Sequence, residues 1–245
     1  MSLELSSSLA FGFLLLGQIC VAQSTLTVAA ASDLTNLEPP LAAAFAKNSQ
    51  GIEIKWVTAS SAMLAQHIQN GAPYDVFLSA NAQFVDTLNS AGSLKPDSVR
   101  AYATGRVGAL WRDGKHHRIN DLTGEEIRFV ALPNPKLAPY GVAAQQALEH
   151  AGIWAQIRAK VVYGENVRQT LELFESGNAD AVLTSDSLLQ GRDPQLIPTD
   201  WHQPILQKAG IVAGSKNMEA ARRFLNFLGS ASAQDVFSRF GFGRP

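Results

Sequence analysis

The sequence predicts an α/β fold with mainly parallel strands. Short apolar runs bounded by turn residues recur along the chain, and amphipathic runs lie between most of them. This alternation is typical of sheets whose strands are connected through helices. Several of the helical runs end next to a glycine, the residue preferred for a left-handed C-terminal cap.

Eight runs have the length and apolar character of strands. In chain order these predicted strands are 25–30, 52–58, 75–80, 107–111, 128–132, 160–163, 179–184 and 209–213.

Five runs are predicted to be helices. In the run 217–228, Ala221, Phe224, Leu225 and Leu228 fall on one face, as expected for a helix packed on a core. The predicted helices are 62–70, 142–150, 167–176, 217–228 and 231–240. The segment 189–204, which contains several Asp and Pro residues, is predicted to be a surface loop before the last strand.

The composition is that of a neutral globular protein. Of the 245 residues, 46% are hydrophobic and 17% are charged, with a formal net charge of -1. A chain of this length can bury one large domain or two smaller ones. The charge balance gives no basis for nucleic-acid binding, and no basic run indicates a membrane surface. Because Cys20 is the only cysteine, an intramolecular disulfide and a cysteine-built zinc site are excluded.

Residues 1–22 are predicted to be a signal peptide. The apolar run 9–22 is short for a membrane span, and Cys20-Val21-Ala22 suits signal-peptidase cleavage after Ala22. The preceding residues contain Glu4 and no Lys or Arg, which departs from the usual basic start. Two alternatives are a lipoprotein anchored at Cys20, which Ile19 disfavours, and a buried N-terminal strand or helix. Cleavage would leave a thiol-free secreted or periplasmic protein.

No motif nominates an enzyme. The chain has no nucleophile elbow, no P-loop and no dinucleotide-binding glycine motif. Its five histidines lack the spacing of metal ligands, and His116-His117 stand in a charged run that is predicted to be a solvated loop.

Small polar residues stand instead at four junctions between a predicted strand and a helix. A helix start presents up to four unpaired N–H groups and about half a positive charge. Four such starts at one cleft would bind an anion without a cationic side chain. The junctions are Ala31-Ser32-Asp33, Ala59-Ser60-Ser61, Pro139-Tyr140-Gly141 and Glu165-Asn166-Val167-Arg168. Each also has an ordinary structural interpretation, with Ser32, Ser61 and Asn166 as N-caps and Pro139 as a first-turn proline.

Several segments around these junctions resemble the periplasmic molybdate-binding proteins that serve ABC importers. They are TVAAASDL (27–34), ASSAMLAQHIQNGAPYDVFLSA (59–80), APYGVAAQQALEHAGIW (138–154), GENVRQTLELFESGNADAVLTSD (164–186) and ARRFLNFLGSASAQDVFSRFGF (221–242). The resemblance implies a two-lobed periplasmic-binding-protein fold, each lobe a mainly parallel sheet flanked by helices, with the ligand cleft between them. The first lobe is expected to comprise 24–105 plus 206–245, and the second 106–205.

The same resemblance implies a ligand set, carried over position by position. Ser32 and Ser61 would donate from the first lobe through hydroxyl and backbone groups. Tyr140 and Val167 would donate from the second lobe, Val167 through its N–H alone. No cofactor is implied. These residues would be a metal site only if the molybdenum of the bound oxyanion is counted as the metal.

Asp33, Ser60 and Leu183 form a second tier of candidates. Leu183 stands where many relatives have a ligand-binding tyrosine, and the hydroxyl of Tyr140 is a hypothetical replacement. A carboxylate at Asp33 would repel a dianion, so Asp33 is expected to point outward as a first-turn acid. The alternative is that Asp33 accepts the proton of hydrogen phosphate, since molybdate, tungstate and sulfate are fully ionised and need donors only.

The expected function is that of a monomeric, extracytoplasmic solute-binding protein, located in the periplasm. It would capture molybdate or tungstate and deliver it to the membrane permease subunits of an ABC importer, with no covalent chemistry and no nucleic-acid partner. Sulfate, phosphate or a small organic anion could be bound on the same scaffold. Two further alternatives are a ligand sensor without an importer and an α/β enzyme using Ser61 or Asp33, which the lack of a neighbouring base disfavours.

Overall fold

The computed structural model describes residues 24–245. The predicted signal peptide, with its cleavage site after Ala22, lies outside the described residues. Within 24–245, no helix combines the length and the apolar character needed to cross a membrane.

Strands and helices alternate along the described chain. The strands are β1 (Ser24–Ala31), β2 (Ile52–Ala59), β3 (Val76–Ser79), β4 (Arg100–Gly105), β5 (Val107–Trp111), β6 (Val130–Pro133), β7 (Val161–Gly164), β8 (Ala181–Ser185), β9 (Gln195–Leu196) and β10 (Ile205–Ile211). The α-helices are α1 (Glu38–Ala46), α2 (Ser61–Gln69), α3 (Ala82–Ser90), α4 (Pro139–His150), α5 (Trp154–Ile157), α6 (Val167–Glu175), α7 (Met218–Leu228) and α8 (Ala231–Arg239). Short 3-10 helices are Ser32–Leu37, Pro96–Ser98, Ile119–Thr123, Arg158–Lys160, Asp186–Leu188 and Thr199–Trp201.

The strands form two five-stranded mixed sheets. Their orders are β2-β1-β3-β10-β4 and β7-β6-β8-β5-β9. In the first sheet only β10 runs against the other strands, and in the second only β5 does. Each of these two strands is the one with which the chain enters a sheet from the other lobe. The prediction of two lobes with mainly parallel sheets is therefore confirmed.

The chain passes between the sheets twice. Arg106 alone separates β4 from β5, and the return runs from β9 to β10. Gly105 makes the first passage possible, because a Cβ there would lie 2.1 Å from the hydroxyl oxygen of Tyr140. The predicted lobe boundaries, 24–105 plus 206–245 and 106–205, agree with these passages in outline but stay a prediction.

The core lies on both faces of the first sheet. Along β1, Val28 and Ala30 pack in a cluster with Phe224 of α7, whereas Ala29 packs in a cluster with Leu64 of α2. Because neighbouring strand residues face opposite sides, a strand covered on both faces is apolar throughout. This explains why TLTVAA is recognisable from sequence.

The two lobes contact each other where strands of the first sheet end. Ala31 at the end of β1 and Ala80 after β3 belong to the hydrophobic cluster of the second lobe, with Tyr140 and Val167. The carboxyl ends of β1 and β3 therefore face the second lobe.

Some elements differ from the sequence prediction. The last strand is β10, Ile205–Ile211, so the predicted bounds 209–213 are wrong. The polar pair Gln207-Lys208 interrupts the apolar run, although Gln207 is fully buried. The segment 189–204, predicted to be a loop, contains β9 and a 3-10 helix. The elements α1, α3, α5 and β4 have no counterpart in the prediction.

Candidate anion-binding site

The first junction joins β1 to the 3-10 helix Ser32–Leu37. The N-cap position is occupied by Ala31, so the interpretation of Ser32 as an N-cap is wrong. The carbonyl oxygen of Ser32 accepts a hydrogen bond from the Thr35 hydroxyl at 2.8 Å, which stabilises the turn. The side chain of Ser32 is buried and does not cap the helix.

The second junction distinguishes two adjacent serines at the start of α2. Ser60 is the N-cap, and its Oγ accepts from the N–H of Met63 at 3.3 Å. Ser61 is the first helical residue, so its interpretation as the N-cap is also wrong. The Oγ of Ser61 accepts from the N–H of Ala80 at 3.1 Å. Because the hydroxyl is the acceptor in that bond, its proton is left for donation to a ligand.

The second lobe contributes the starts of α4 and α6. Proline has no N–H, so α4, which begins at Pro139, presents its first N–H on Tyr140. At α6, the carboxamide of Asn166 accepts from the N–H groups of Arg168 and Gln169 at 2.9 and 3.0 Å. The N–H of Val167 is not part of this cap. The interpretations of Pro139 as a first-turn proline and of Asn166 as an N-cap are confirmed.

Two clefts lie on the seam where the two lobes meet, near these junctions. One cleft, of about 330 Å³, is lined by Ser32 of the first lobe and by Asn166, which precedes Val167. The other, of about 220 Å³, is lined by Ala80, the partner of Ser61, and by Pro139, which precedes Tyr140. The expected donors Ser32, Ser61, Tyr140 and Val167 are all buried.

Asp33 connects the lobes within this seam. Its Oδ2 accepts from the Tyr140 hydroxyl at 2.9 Å and from the amide Nε2 of Gln207. Its backbone oxygen accepts from the Ser187 hydroxyl at 2.6 Å. The amide oxygen of Gln207 in turn accepts from the Tyr102 hydroxyl at 2.7 Å. A continuous chain of buried hydrogen bonds therefore runs from β4 through β10 and Asp33 to α4.

The arrangement offers hydrogen-bond donors from two lobes and no cation among the four expected ligand residues. Uncharged hydroxyl and N–H donors of this kind are suited to a small, fully enclosed anion. Within the described residues, no group of three or more His, Cys, Asp or Glu side chains is arranged to hold a metal ion.

Comparison with known proteins identifies a family. The sequence profile of the family described as bacterial extracellular solute-binding protein matches residues 26–243. The chain belongs to this family.

Several individual proteins resemble this solute-binding protein over nearly its whole length. The molybdate-binding protein ModA of Azotobacter vinelandii is 31% identical over 235 residues, which cover 91% of this chain and 92% of that protein. A putative ABC transporter substrate-binding lipoprotein of Bacillus subtilis, YvgL, is 29% identical, with coverages of 89% and 86%. The solved structure of the periplasmic molybdate-binding protein of Azotobacter vinelandii matches with a TM-score of 0.84 at 28% identity, covering 90% and 99%.

The solute-binding protein buries Asp33, and the expectation that this residue points outward is wrong. Asp33 is only 1% exposed. Hydrogen bonds from two buried side chains hold it in the seam, and they outweigh the weak attraction of an exposed acid to a helix start.

Burial raises the pKa of Asp33 to about 6, although the hydrogen bonds from Gln207 and Tyr140 lower it. Burial also raises the pKa of Tyr140 and of Tyr102 well above the usual value, and the charge of Asp33 raises both further. Both tyrosines therefore stay neutral near pH 7, and Asp33 is the group of this hydrogen-bonded chain that changes charge near neutrality.

Leu183 lies in β8 and is fully buried in the hydrophobic cluster of the second lobe. It packs and has no polar group to donate. The Tyr140 hydroxyl was the hypothetical replacement for the missing tyrosine. In this structure that hydroxyl donates its proton to Asp33 and so does not have it available for a ligand. The N–H of Tyr140 remains the group to be expected at a ligand.

Sequence reasoning missed Gln207, Tyr102 and Ser187 in the seam of this binding protein. The signal for Gln207 is its place in the polar pair Gln207-Lys208 within the otherwise apolar run ILQKAGI, since a polar side chain buried within a strand needs a specific partner. Ser187, in the segment TSDSLL, and Tyr102 have no comparable local signal.

Proposed function

We propose that this protein captures molybdate or tungstate in the seam between its lobes. The supporting observation is that helix starts of both lobes border that seam with hydroxyl and N–H donors, and that none of the four expected ligand residues is charged. Arg168, which lines one cleft, pairs with Glu172. Such a donor set stabilises a fully ionised oxyanion through hydrogen bonds that are stronger than those between neutral groups. Ser32, Ser61, Tyr140 and Val167 are the residues proposed to bind it.

The proposed role is transport, with no cofactor and no covalent chemistry. The protein would be exported to the periplasm by residues 1–22, with cleavage after Ala22, and would act as a monomer. Closure of the lobes would bury the anion, and the permease subunits of an ABC importer would recognise the closed form. Support comes from relatives named as molybdate-binding proteins and as an ABC transporter substrate-binding lipoprotein.

Size is the proposed basis for rejecting sulfate. Molybdate and tungstate have longer bonds to oxygen than sulfate has, so donors set for the larger anions lie too far from the oxygens of the smaller one. Losing these hydrogen bonds would lower the affinity for sulfate by a large factor, because each hydrogen bond to a charged group contributes about 1.5–3 kcal/mol.

A second candidate ligand is hydrogen phosphate, which the burial of Asp33 favours. Hydrogen phosphate carries a proton that needs an acceptor, and an ionised Asp33 would supply one. A carboxylate also has the opposite effect on a dianion without a proton, which it repels.

Titration calorimetry on the purified protein, stripped of bound anion, tests the ligand directly. Molybdate and tungstate should each bind tightly with one-to-one stoichiometry, and sulfate should give little heat. Stronger binding of phosphate than of molybdate would replace the first candidate by the second. No binding of any of the four anions would contradict the proposal.

A further inference from the structure

This inference deepens the proposed function and rests on it. We propose that Asp33 determines which anions the seam accepts, by sharing one proton with the bound tetrahedral anion. With a fully ionised anion, Asp33 is a neutral carboxylic acid whose hydroxyl, on Oδ1, donates to an oxygen of the ligand.

The hydrogen bonds of the carboxyl group assign the proton to Oδ1. Oδ2 already accepts from the Tyr140 hydroxyl and from the amide of Gln207. Oδ1 is buried and has no hydrogen-bond partner among the residues that the structure describes. A buried polar atom without a partner is costly, and a ligand oxygen at this position would remove the cost.

The backbone of Asp33 keeps the carboxyl group in the seam. Its carbonyl oxygen is bonded to Ser187 of the second lobe, and the preceding residue, Ser32, lines one of the two clefts. The side chain is held there by the bonds that its Oδ2 accepts from Tyr140 and Gln207. An ionised carboxylate and a dianion enclosed together would repel each other strongly, because a buried pair of like charges is poorly screened.

Charged groups on the elements packed against Asp33 do not relieve this repulsion. Arg106 pairs with Asp186 at 2.8 Å, and no cation within 24–245 forms an ion pair with Asp33. Three other charged groups on those elements have partners of their own: Lys208 pairs with Asp86, Arg168 pairs with Glu172, and Glu38 accepts a hydrogen bond from Thr58. The remaining charged or titratable groups lie at exposed positions or at the ends of these elements that are distant from Asp33: Glu53, Lys55, His67, Arg100, Glu149 and His150. A proton is thus the remaining means of neutralising the carboxylate.

The acid–base properties of the ligand-free seam agree with this assignment. Burial raises the pKa of Asp33 to about 6, and an adjacent dianion would raise that pKa further. At pH 8 the free protein is therefore mostly ionised at Asp33, and binding of molybdate must take up a proton from solvent. Hydrogen phosphate brings its own proton and needs none from solvent.

The experiment is calorimetry with molybdate at pH 6, 7 and 8, in pairs of buffers that differ in ionisation enthalpy. This design counts the protons taken up on binding. The unsubstituted protein should take up close to one proton per molybdate at pH 8, and its affinity should fall about tenfold between pH 7 and pH 8.

Asp33→Asn imitates the neutral acid. Its amide oxygen can accept from Tyr140 and Gln207, and its NH2 group can donate where the acid hydroxyl did. The variant should bind molybdate with no proton uptake and with the same affinity at all three pH values. Asp235→Asn removes an exposed acid on α8 and is the matched control, expected to behave like the unsubstituted protein. With phosphate at pH 8, Asp33→Asn should lose about tenfold in affinity, because the ligand's proton loses its acceptor.

Two failures are distinguishable. Molybdate binding without proton uptake, at an affinity independent of pH in the unsubstituted protein, would overturn the role of Asp33 and leave the proposed function intact. Absence of molybdate and tungstate binding in all variants would overturn the proposed function. In that case the phosphate measurements decide the role of Asp33: weaker binding by Asp33→Asn supports it, and equal binding overturns it.

Discussion

At the scale of single residues, Ser60 and Ser61 are adjacent, buried and engaged in different bonds. The Oγ of Ser60 caps α2 through Met63, whereas the Oγ of Ser61 accepts from Ala80 and keeps a proton to donate. Substituting each serine in turn therefore distinguishes a loss of helix stability, expected at Ser60, from a loss of ligand binding, expected at Ser61.

Ser61→Ala should weaken molybdate binding by about ten- to a hundredfold, because a hydrogen bond to a charged group is lost. Ser60→Ala should lower the free energy of unfolding by about 1 kcal/mol through loss of the cap, with little change in affinity. Calorimetry and urea denaturation of both variants measure the two effects. Equal losses of affinity in the two variants would argue against Ser61 as a ligand residue.

Asp33 also links the stability of the ligand-free protein to pH. Its pKa is about 6 in the folded state, whereas the ordinary pKa of an aspartate side chain is 3.8. Between these values the folded state retains a proton that the unfolded state has released, so stability falls as pH rises through this window and stays lower above it. The ionised carboxylate thus destabilises the folded protein at neutral pH by about 3 kcal/mol relative to the protonated form.

Asp33→Asn should be more stable than the unsubstituted protein at pH 7.5 and should lose most of this advantage as pH falls towards 4. Urea denaturation of both proteins, stripped of anion, across this pH range measures the difference. A difference that does not change with pH would contradict the raised pKa. Comparing two variants at each pH cancels the titration of the other carboxyl groups.

Polar residues at helix starts form a local pattern, which was enough to nominate the four junctions, and the family resemblance then singled out Ser32, Ser61, Tyr140 and Val167. It could not predict the orientation of Asp33. The partners that hold Asp33 inward, Gln207 and Ser187, are 174 and 154 residues away in sequence. Side-chain orientation that depends on such distant contacts leaves no local signal.

At the scale of elements, the start of α6 allows the contribution of a single N–H group, that of Val167, to ligand binding to be measured. Val167 is its first residue, and the preceding Asn166 has an extended backbone (φ -152°, ψ 173°) that a following proline tolerates. Proline is accepted at the first position of a helix, where the N–H has no partner within the helix. Val167→Pro therefore deletes the proposed ligand donor without breaking the helix.

Val167→Pro should weaken molybdate binding by about ten- to a hundredfold while circular dichroism retains the helical signal. Val167→Ala is the control, because it trims the buried side chain but keeps the N–H, and it should bind within a few-fold of the unsubstituted protein. If the alanine variant lost as much affinity as the proline variant, the side chain of Val167 rather than its N–H would matter.

Sequence patterns predicted elements well where packing is one-sided or fully apolar. The amphipathic α7 and the apolar β1 both lie close to their predicted positions. The prediction missed α1, whose sequence EPPLAAAFA has two consecutive prolines in its first turn and little amphipathic contrast. It missed β4, the edge strand RAYATG, because polar residues alternate irregularly there and β10 is the one strand that pairs with it within the described residues.

At the scale of the whole molecule, few hydrogen bonds join the lobes. The side chain of Ser187 in the second lobe donates to the carbonyl oxygen of Asp33 at 2.6 Å, and its own carbonyl accepts from Asn36 at 3.3 Å. The hydroxyl of Tyr140 donates to Asp33 and accepts from Gln207. Contacts of this number contribute a few kcal/mol at most, so the closed arrangement should exchange with an open one when no anion is bound.

Distances between the lobes in solution test this exchange. The chain has Cys20 as its only cysteine, which the predicted cleavage removes, so Thr87→Cys on α3 and Glu149→Cys on α4 would give one spin label in each lobe. Both side chains are exposed. Addition of molybdate should narrow the distribution of distances and shift it to shorter values, because the ligand binds the closed form more tightly.

Ser187→Ala should shift the ligand-free distribution towards longer distances and weaken binding by about fivefold, since the loss of one hydrogen bond near 1 kcal/mol disfavours the closed form. Ser230→Ala is the matched control, because it removes a cap on α8 within the first lobe and should lower stability without moving the lobes. Unchanged distances in Ser187→Ala, together with unchanged affinity, would mean that the anion's own bonds to both lobes close the molecule. The Ser187 contact would then follow closure and make no contribution to it.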